Sequence, residues 1–367
     1  MKKLMFFVVV ALTWVACGNK AQDGAADADS TQVFEVPDTL NTVEAVVRQV
    51  DAVYDYLDYI RQHYKEDMPS LDERFATREW QQALADVRVV DKDCECGGFF
   101  DFGDEGPLDA WTFDCYEGRV SADSVSVKLL PNGTADVRFL VKDAVTIRGV
   151  PMRWLMRVED GQWRVADIFF ESMQGMDLLA EMKRYARYMA FEKTFDINKY
   201  VGQMESEAYV IFSKGTDDIR IIAYTFVDVD SDGHPEVWVK GDEGQNFQGV
   251  YSVVGDSVRL LACSDARSEI DFYKGAVGFS GYYGTGEDRK AFTIVKNSLP
   301  GDEYFMEHKF NIFSEEQETV HLAQTKNGET ISDEAWNEAE KMLGDTVSVT
   351  PYWRPIERKL KLADYAE

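Results

Sequence analysis

The spacing of apolar positions changes period along this chain, and each change predicts an element. Val43, Val46, Val47, Val50, Val53, Leu57, Ile60 and Tyr64 recur three and four residues apart, which predicts a long amphipathic first helix. Trp80, Leu84 and Val87 predict a second helix behind Thr77, a residue suited to cap it. The period then falls to two. Val125, Val127 and Leu129 lead into Pro131-Asn132-Gly133, and Val137, Phe139 and Val141 return, the pattern of a hairpin. A run over 152–158 reaches Asp160-Gly161 and comes back over 163–168, closing an antiparallel meander. Leu178, Met182, Tyr185 and Met189 share one face of a helix over 177–192. Short strands follow over 209–212, 219–227, 236–239, 249–254, 258–261, 272–279, 291–295 and 304–313. After Asn327-Gly328, Ser332 caps a last helix carrying Trp336, Ala339, Met342 and Leu343, with Gly344 as its stop.

The first forty residues follow none of these periods. Lys2 and Lys3 precede an apolar run over 4–16 that is shorter than the roughly 20 residues a membrane-crossing helix needs. The run fits a cleavable signal. It ends in Trp14-Val15-Ala16-Cys17-Gly18, which resembles the lipobox of bacterial lipoproteins, with Trp14 where an aliphatic residue is usual. The resemblance implies cleavage before Cys17, diacylglycerol on its thiol and a palmitate-type chain on the new amine. Buried acyl chains contribute about 0.8 kcal/mol per methylene, enough for a stable anchor when several act together. Residues 18–41 are rich in Ala, Asp, Gln and Gly and carry too little apolar surface to fold, so they read as a tether. The acidic stretch 22–29 faintly resembles the export signals of surface lipoproteins in Bacteroides-type bacteria, which implies the outer membrane and a surface-exposed chain; a plain soluble linker is the alternative.

Charge narrows the partners. The chain holds 66 acidic against 39 basic residues, a formal net charge of −27. Such a field repels phosphate backbones, which argues against nucleic acid. Cations, a small molecule, a glycan or another envelope protein remain open as partners, with the membrane reached through the N-terminal lipid.

Helices first and strands after is an α+β pattern. The order helix, helix, loop and long hairpins ending in Asp160-Gly161-Gln162-Trp163-Arg164-Val165-Ala166-Asp167-Ile168 resembles the nuclear-transport-factor-2-like, or cystatin-like, fold. The segment over 100–110 is similar to a motif in secreted bacterial members of unknown function. The resemblance implies N-terminal helices on a curved antiparallel sheet, followed here by a β-rich second domain with a C-terminal helix. The expected organisation is a signal peptide over 1–16, a lipidated tether over 17–41 and an α+β domain over 42–176. A connecting helix over 177–204 then leads to the β-rich domain over 205–367. The cystatin-like cavity implied by the resemblance would be rimmed by loop aspartates, with Asp101 and Asp109 as candidate polar anchors or proton-transfer bases.

One motif is chemically sharp. Asp228-Val229-Asp230-Ser231-Asp232-Gly233-His234-Pro235-Glu236 reads D-x-D-x-D-G-x-x-E. Calcium takes six to eight hard oxygen ligands, and carboxylates at alternate positions of a tight loop converge on one point. Asp228, Asp230, Asp232, the His234 carbonyl and Glu236 are the candidate ligands. Position 12 is Val239 and the flanks read as strands, so this is not an EF-hand. The loop resembles those of integrin-type and VCBS-type repeats, although only one copy is present. An acidic β-turn without metal is the alternative. Cys94, Cys96 and Cys115 admit a disulfide from Cys115 to Cys94 or Cys96, an incomplete soft-metal site, or buried thiols. No nucleophile elbow, zinc-hydrolase helix or dinucleotide-binding turn is present. The sequence therefore points to a membrane-anchored, non-catalytic envelope module. A small-ligand receptor or enzyme using the first domain's cavity is the alternative.

Overall fold

In the computed structural model, residues 35–357 are described except 64, 66, 92–98, 100–106, 114, 116, 147, 171–175, 213–218, 243–246, 266–267, 284–286, 311–318 and 350. Cys17, Cys94, Cys96 and Asp101 lie outside the described residues. The first helix, α1 (Val43–His63), buries Val46, Val50, Val53 and Leu57 completely, the apolar spacing having set which face turns inward. A short α2 (Leu71–Phe75) follows, started by a capping box in which Ser70 and Glu73 each accept the other's backbone amide. Thr77 then precedes α3 (Arg78–Asp91), with Trp80, Ala83, Leu84 and Val87 buried, and α4 (Pro107–Thr112) is a single turn and a half.

The first sheet runs β1 (Ser121–Leu129), β2 (Thr134–Lys142), β3 (Val150–Glu159), β4 (Gln162–Phe170) and β5 (Met176–Asp177), in that order and antiparallel throughout. Asp160 (φ 54°) and Gly161 (φ 73°) both take the left-handed conformation that a two-residue hairpin of this twist requires. Asp177 caps α5 (Leu178–Glu192), and a 3-10 turn leads to α6 (Val201–Phe212). Strands β6 (Ile221–Val227), β7 (Glu236–Gly241), β8 (Gln248–Val254) and β9 (Ser257–Ser264) form another sheet. The late strand β16 (Arg354–Pro355) closes it against β6. Between them in sequence comes a six-stranded sheet: β10 (Ser268–Tyr273), β11 (Ala276–Tyr283), β12 (Glu287–Lys296), β13 (Leu299–Phe310), β14 (Thr319–Lys326) and β15 (Glu329–Thr330). The C-terminal helix α7 (Asp333–Leu343) lays Trp336, Ala339 and Leu343 over Phe292 and Tyr304 of this sheet.

Two expectations need correction. The α+β class, with N-terminal helices on a curved cystatin-like sheet, does not hold: strand outweighs helix, 41% to 31%, and three antiparallel sheets make the chain mostly β. The helices are not laid as a layer on a curved sheet. Helix α1 runs beside edge strand β1, and α3 packs along α5. Polar contacts fix that helix pair, with Lys183 Nζ donating to Glu79 (2.6 Å) and Tyr185 Oη to Asp91 (2.6 Å). The second correction concerns 209–212, which completes α6 and is not a strand. Val201, Met204 and Ala208 are buried at helical spacing, and the backbone stays helical through Phe212.

A single apolar core extends from Val46 of α1 through Trp154 of β3 and Met182 of α5 to Tyr251 of β8. A second cluster joins the remaining two sheets face to face, with Trp238, Val250 and Leu261 against Phe272, Val277 and Val295. Among the described residues no helix is long and apolar enough to cross a membrane.

Candidate metal centre

The acidic motif forms the turn between β6 and β7. Asp228 opens it, and its carboxylate accepts the amides of Asp232 (3.1 Å) and Gly233 (3.2 Å), folding the chain back on itself. Gly233, at φ 89°, occupies a conformation that side-chain-bearing residues rarely adopt. This turn brings one carboxylate oxygen each from Asp228, Asp230 and Glu236 within 4.8 Å of one another.

The three carboxylates are held differently. Asp230 Oδ1 accepts the Asp232 amide (3.3 Å), and Oδ2 accepts the amide of Ser298 (3.0 Å), at the turn between β12 and β13. Glu236 is fully buried, and its Oε2 accepts the Val229 amide (2.9 Å). Its Oε1 is buried without a hydrogen-bond partner. The Ser298 hydroxyl lies close by but donates to the His234 carbonyl (2.9 Å). Burial first, and the negative charge of Asp230 after it, push the Glu236 carboxyl up to about 8. Burial also raises Asp228, although Arg187 opposes the shift from 3.8 Å away.

Asp232 and His234 lie outside this trio and are exposed. Asp232 accepts the His234 amide (2.7 Å) and sits 3.3 Å from the Ser298 hydroxyl. Two distant residues that the motif gives no hint of complete the setting. Ser298 is 68 positions from Asp230, and Tyr188, 40 positions from Asp228, accepts the Asp228 amide through its hydroxyl (2.8 Å). Only the meeting of α5, the β6–β7 turn and the β12–β13 turn brings them together.

Three hard oxygen donors, one of them from the carboxylate with the orphaned oxygen, suit a cation of the calcium class, with carbonyls or water filling the remaining positions. The donor set contains no thiol and no imidazole nitrogen, which soft metals favour.

The other candidate residues are dispersed. Asp109 belongs to α4, and Asp101 is outside the described residues. Cys115 is buried, with its thiol 3.8 Å from the Val141 carbonyl, while Cys94 and Cys96 are outside the described residues. Cys263 is half-buried in β9, and burial pushes its thiol up to about 12, which keeps it protonated. Comparison with family models, with curated proteins and with solved structures gave no match.

Proposed function

We propose that this chain is a membrane-anchored lipoprotein of the cell envelope, acylated on Cys17, and that it acts as a non-catalytic binding or structural module holding calcium in its β6–β7 turn. The observation that supports the calcium reading is the orphaned Oε1 of fully buried Glu236, facing a turn that already gathers Asp228 and Asp230. Leaving a buried polar atom unsatisfied costs about 1–3 kcal/mol, and a cation removes that cost together with the mutual repulsion of the carboxylates. The turn joins two packed sheets through Ser298, which supports a cation that holds a junction. The anchor rests on the signal-like run and the lipobox residues ending at Cys17.

Thermal melts of the detergent-solubilised chain, with calcium titrated against a chelator, test the metal. A ligand held only by the folded state stabilises by about 2.7 kcal/mol at a hundredfold excess over its Kd. The expected result is a calcium-dependent rise that Asp230→Ala abolishes. A melting temperature unmoved by millimolar calcium would leave the turn as an ordinary acidic hairpin. Mass measurement of the N-terminal peptide tests the anchor, with a diacylglyceryl-modified Cys17 expected.

A further inference from the structure

A second feature lies beside the first helix and shares no residue with the acidic turn. The start of α1, the end of α2 and the β3–β4 turn border an open cavity of about 360 Å³, with Arg48, Gln49, Arg74, Gln162 and Trp163 among its walls. Among the described residues no carboxylate lines it, in a chain where 66 acidic residues outnumber 39 basic ones. Most lining side chains near its polar end are hydrogen-bond donors or can act as such.

Several arginines of this chain are engaged by carboxylates, whereas among the described residues the two arginines of the cavity are not. Arg78, Arg119, Arg153 and Arg157 all reach carboxylates. Arg48 and Arg74 make no ion pair among the described residues. Arg74 is instead positioned by stacking, its guanidinium 4.3 Å from the centre of the Tyr56 ring and 5.6 Å from that of Phe75. A stacked guanidinium keeps its in-plane N–H groups available, the geometry that grips a carboxylate or phosphate with two parallel hydrogen bonds. The wall behind it is fixed, because Arg164 donates to the Arg74 carbonyl (2.9 Å) and the Trp163 indole donates to the Leu40 carbonyl (2.8 Å).

We propose that this cavity binds a small soluble oxyanion, a phosphate- or carboxylate-bearing molecule, between Arg48 and Arg74. The volume falls in the range of small-molecule sites, about 300–1,000 Å³, and below what a macromolecular segment needs. Long-range repulsion from the net charge of −27 weighs against an anionic membrane surface as the source and leaves a compact anion that fits between the two guanidinium groups. This site is independent of the calcium reading.

The test is isothermal titration of the full chain in neutral detergent at constant ionic strength. The probes are inorganic phosphate, glycerol 3-phosphate as a headgroup mimic, and citrate, with chloride as the reference. Saturable binding of at least one probe is expected, weakened about tenfold or more by Arg48→Glu. Arg48 is exposed and lacks an ion-pair partner, so that variant folds. Arg74→Gln should weaken binding similarly, whereas Arg259→Ala, an exposed change on β9, should not. Tightest binding by glycerol 3-phosphate would assign a headgroup fragment, and tightest binding by phosphate or citrate a free metabolite anion. The proposal is overturned if no probe exceeds the chloride reference, or if Arg48→Glu and Arg259→Ala bind alike.

Discussion

Replacing Glu236 with glutamine separates the two roles of that side chain. Glutamine is nearly isosteric, and its carbonyl can still accept the Val229 amide that Glu236 Oε2 now accepts at 2.9 Å. Its amino group would occupy the place of the orphaned Oε1 and donate toward the carboxylates of Asp228 and Asp230, both within 4.8 Å of Glu236. Above about pH 8, where Glu236 is ionised, the substitution without calcium relieves one unsatisfied buried atom, and stability should rise by about 1–3 kcal/mol. With calcium it removes an anionic ligand, so the gain of about 2.7 kcal/mol available at a hundredfold excess over Kd should be lost or reduced to a small fraction. The two proteins should therefore exchange rank: the variant melts higher in chelator, and the natural chain melts higher in saturating calcium. Scanning calorimetry at fixed pH in the two buffers reads both orders. A variant that melts lower than the natural chain in chelator would show that Oε1 is satisfied by something other than a cation. Equal calcium responses in the two proteins would remove Glu236 from any metal site.

Further substitutions test the packing that frames the site. Asp72, almost fully buried, accepts the indole N–H groups of Trp80 (2.7 Å) and Trp111 (3.2 Å); Asp72→Ala should cost about 2–4 kcal/mol by chemical denaturation, and Asp72→Asn much less. Trp154 is fully buried against Phe139, Trp111 and Tyr54, at centroid distances of 4.7, 5.5 and 5.9 Å, and Trp154→Ala should cost about 3–5 kcal/mol. The Asp143 carboxylate accepts the amides of Glu117 (3.0 Å), Val145 (3.0 Å) and Thr146 (2.5 Å), which hold it at about 2. Because that value lies below the ordinary one, its stabilisation is complete above about pH 4 and disappears as pH falls through about 2. The difference in melting temperature between the natural chain and Asp143→Ala should close over the same interval, and a difference independent of pH would contradict the assignment.

Local signals in the sequence located most elements, and failed where an element's identity depends on its partner. The hairpin turns at Asp160-Gly161 and Asn327-Gly328 were legible because both positions of each demand positive φ, which these residue types tolerate. Ser332 and Gly344 bounded α7 for equally local reasons. The end of α6 was misread because Tyr209-Val210-Ile211-Phe212 combines β-branched and aromatic residues in a run too short for its period to decide. What holds this helix lies elsewhere in the chain: Glu205 accepts the Ile221 amide (2.8 Å), and Glu207 accepts that of Leu260 (2.7 Å). Fold class failed for the same reason on a larger scale. Alternation specifies that a strand is half-buried, but does not specify which helix or sheet covers it.

The candidate centre shows the same division within nine residues. Spacing alone brings Asp228 and Asp230 to one turn, since alternate positions on a tight loop converge. It does not decide whether Asp232 or Glu236 completes the group, because that depends on what surrounds the turn. Here the β12–β13 turn presses against it, with Ser298 donating its amide to Asp230 and its hydroxyl to the His234 carbonyl. Tyr188 of α5 closes the other side by accepting the Asp228 amide. Enclosure from both sides leaves Asp232 in solvent and shuts Glu236 away from it. An exposed carboxylate is already hydrated and gains little from a cation, whereas a buried one with an unmatched oxygen recovers part of its lost hydration. On the proposed calcium reading, the residue that burial selects as a ligand is thus Glu236, and the central aspartate of the motif is left to shape the turn.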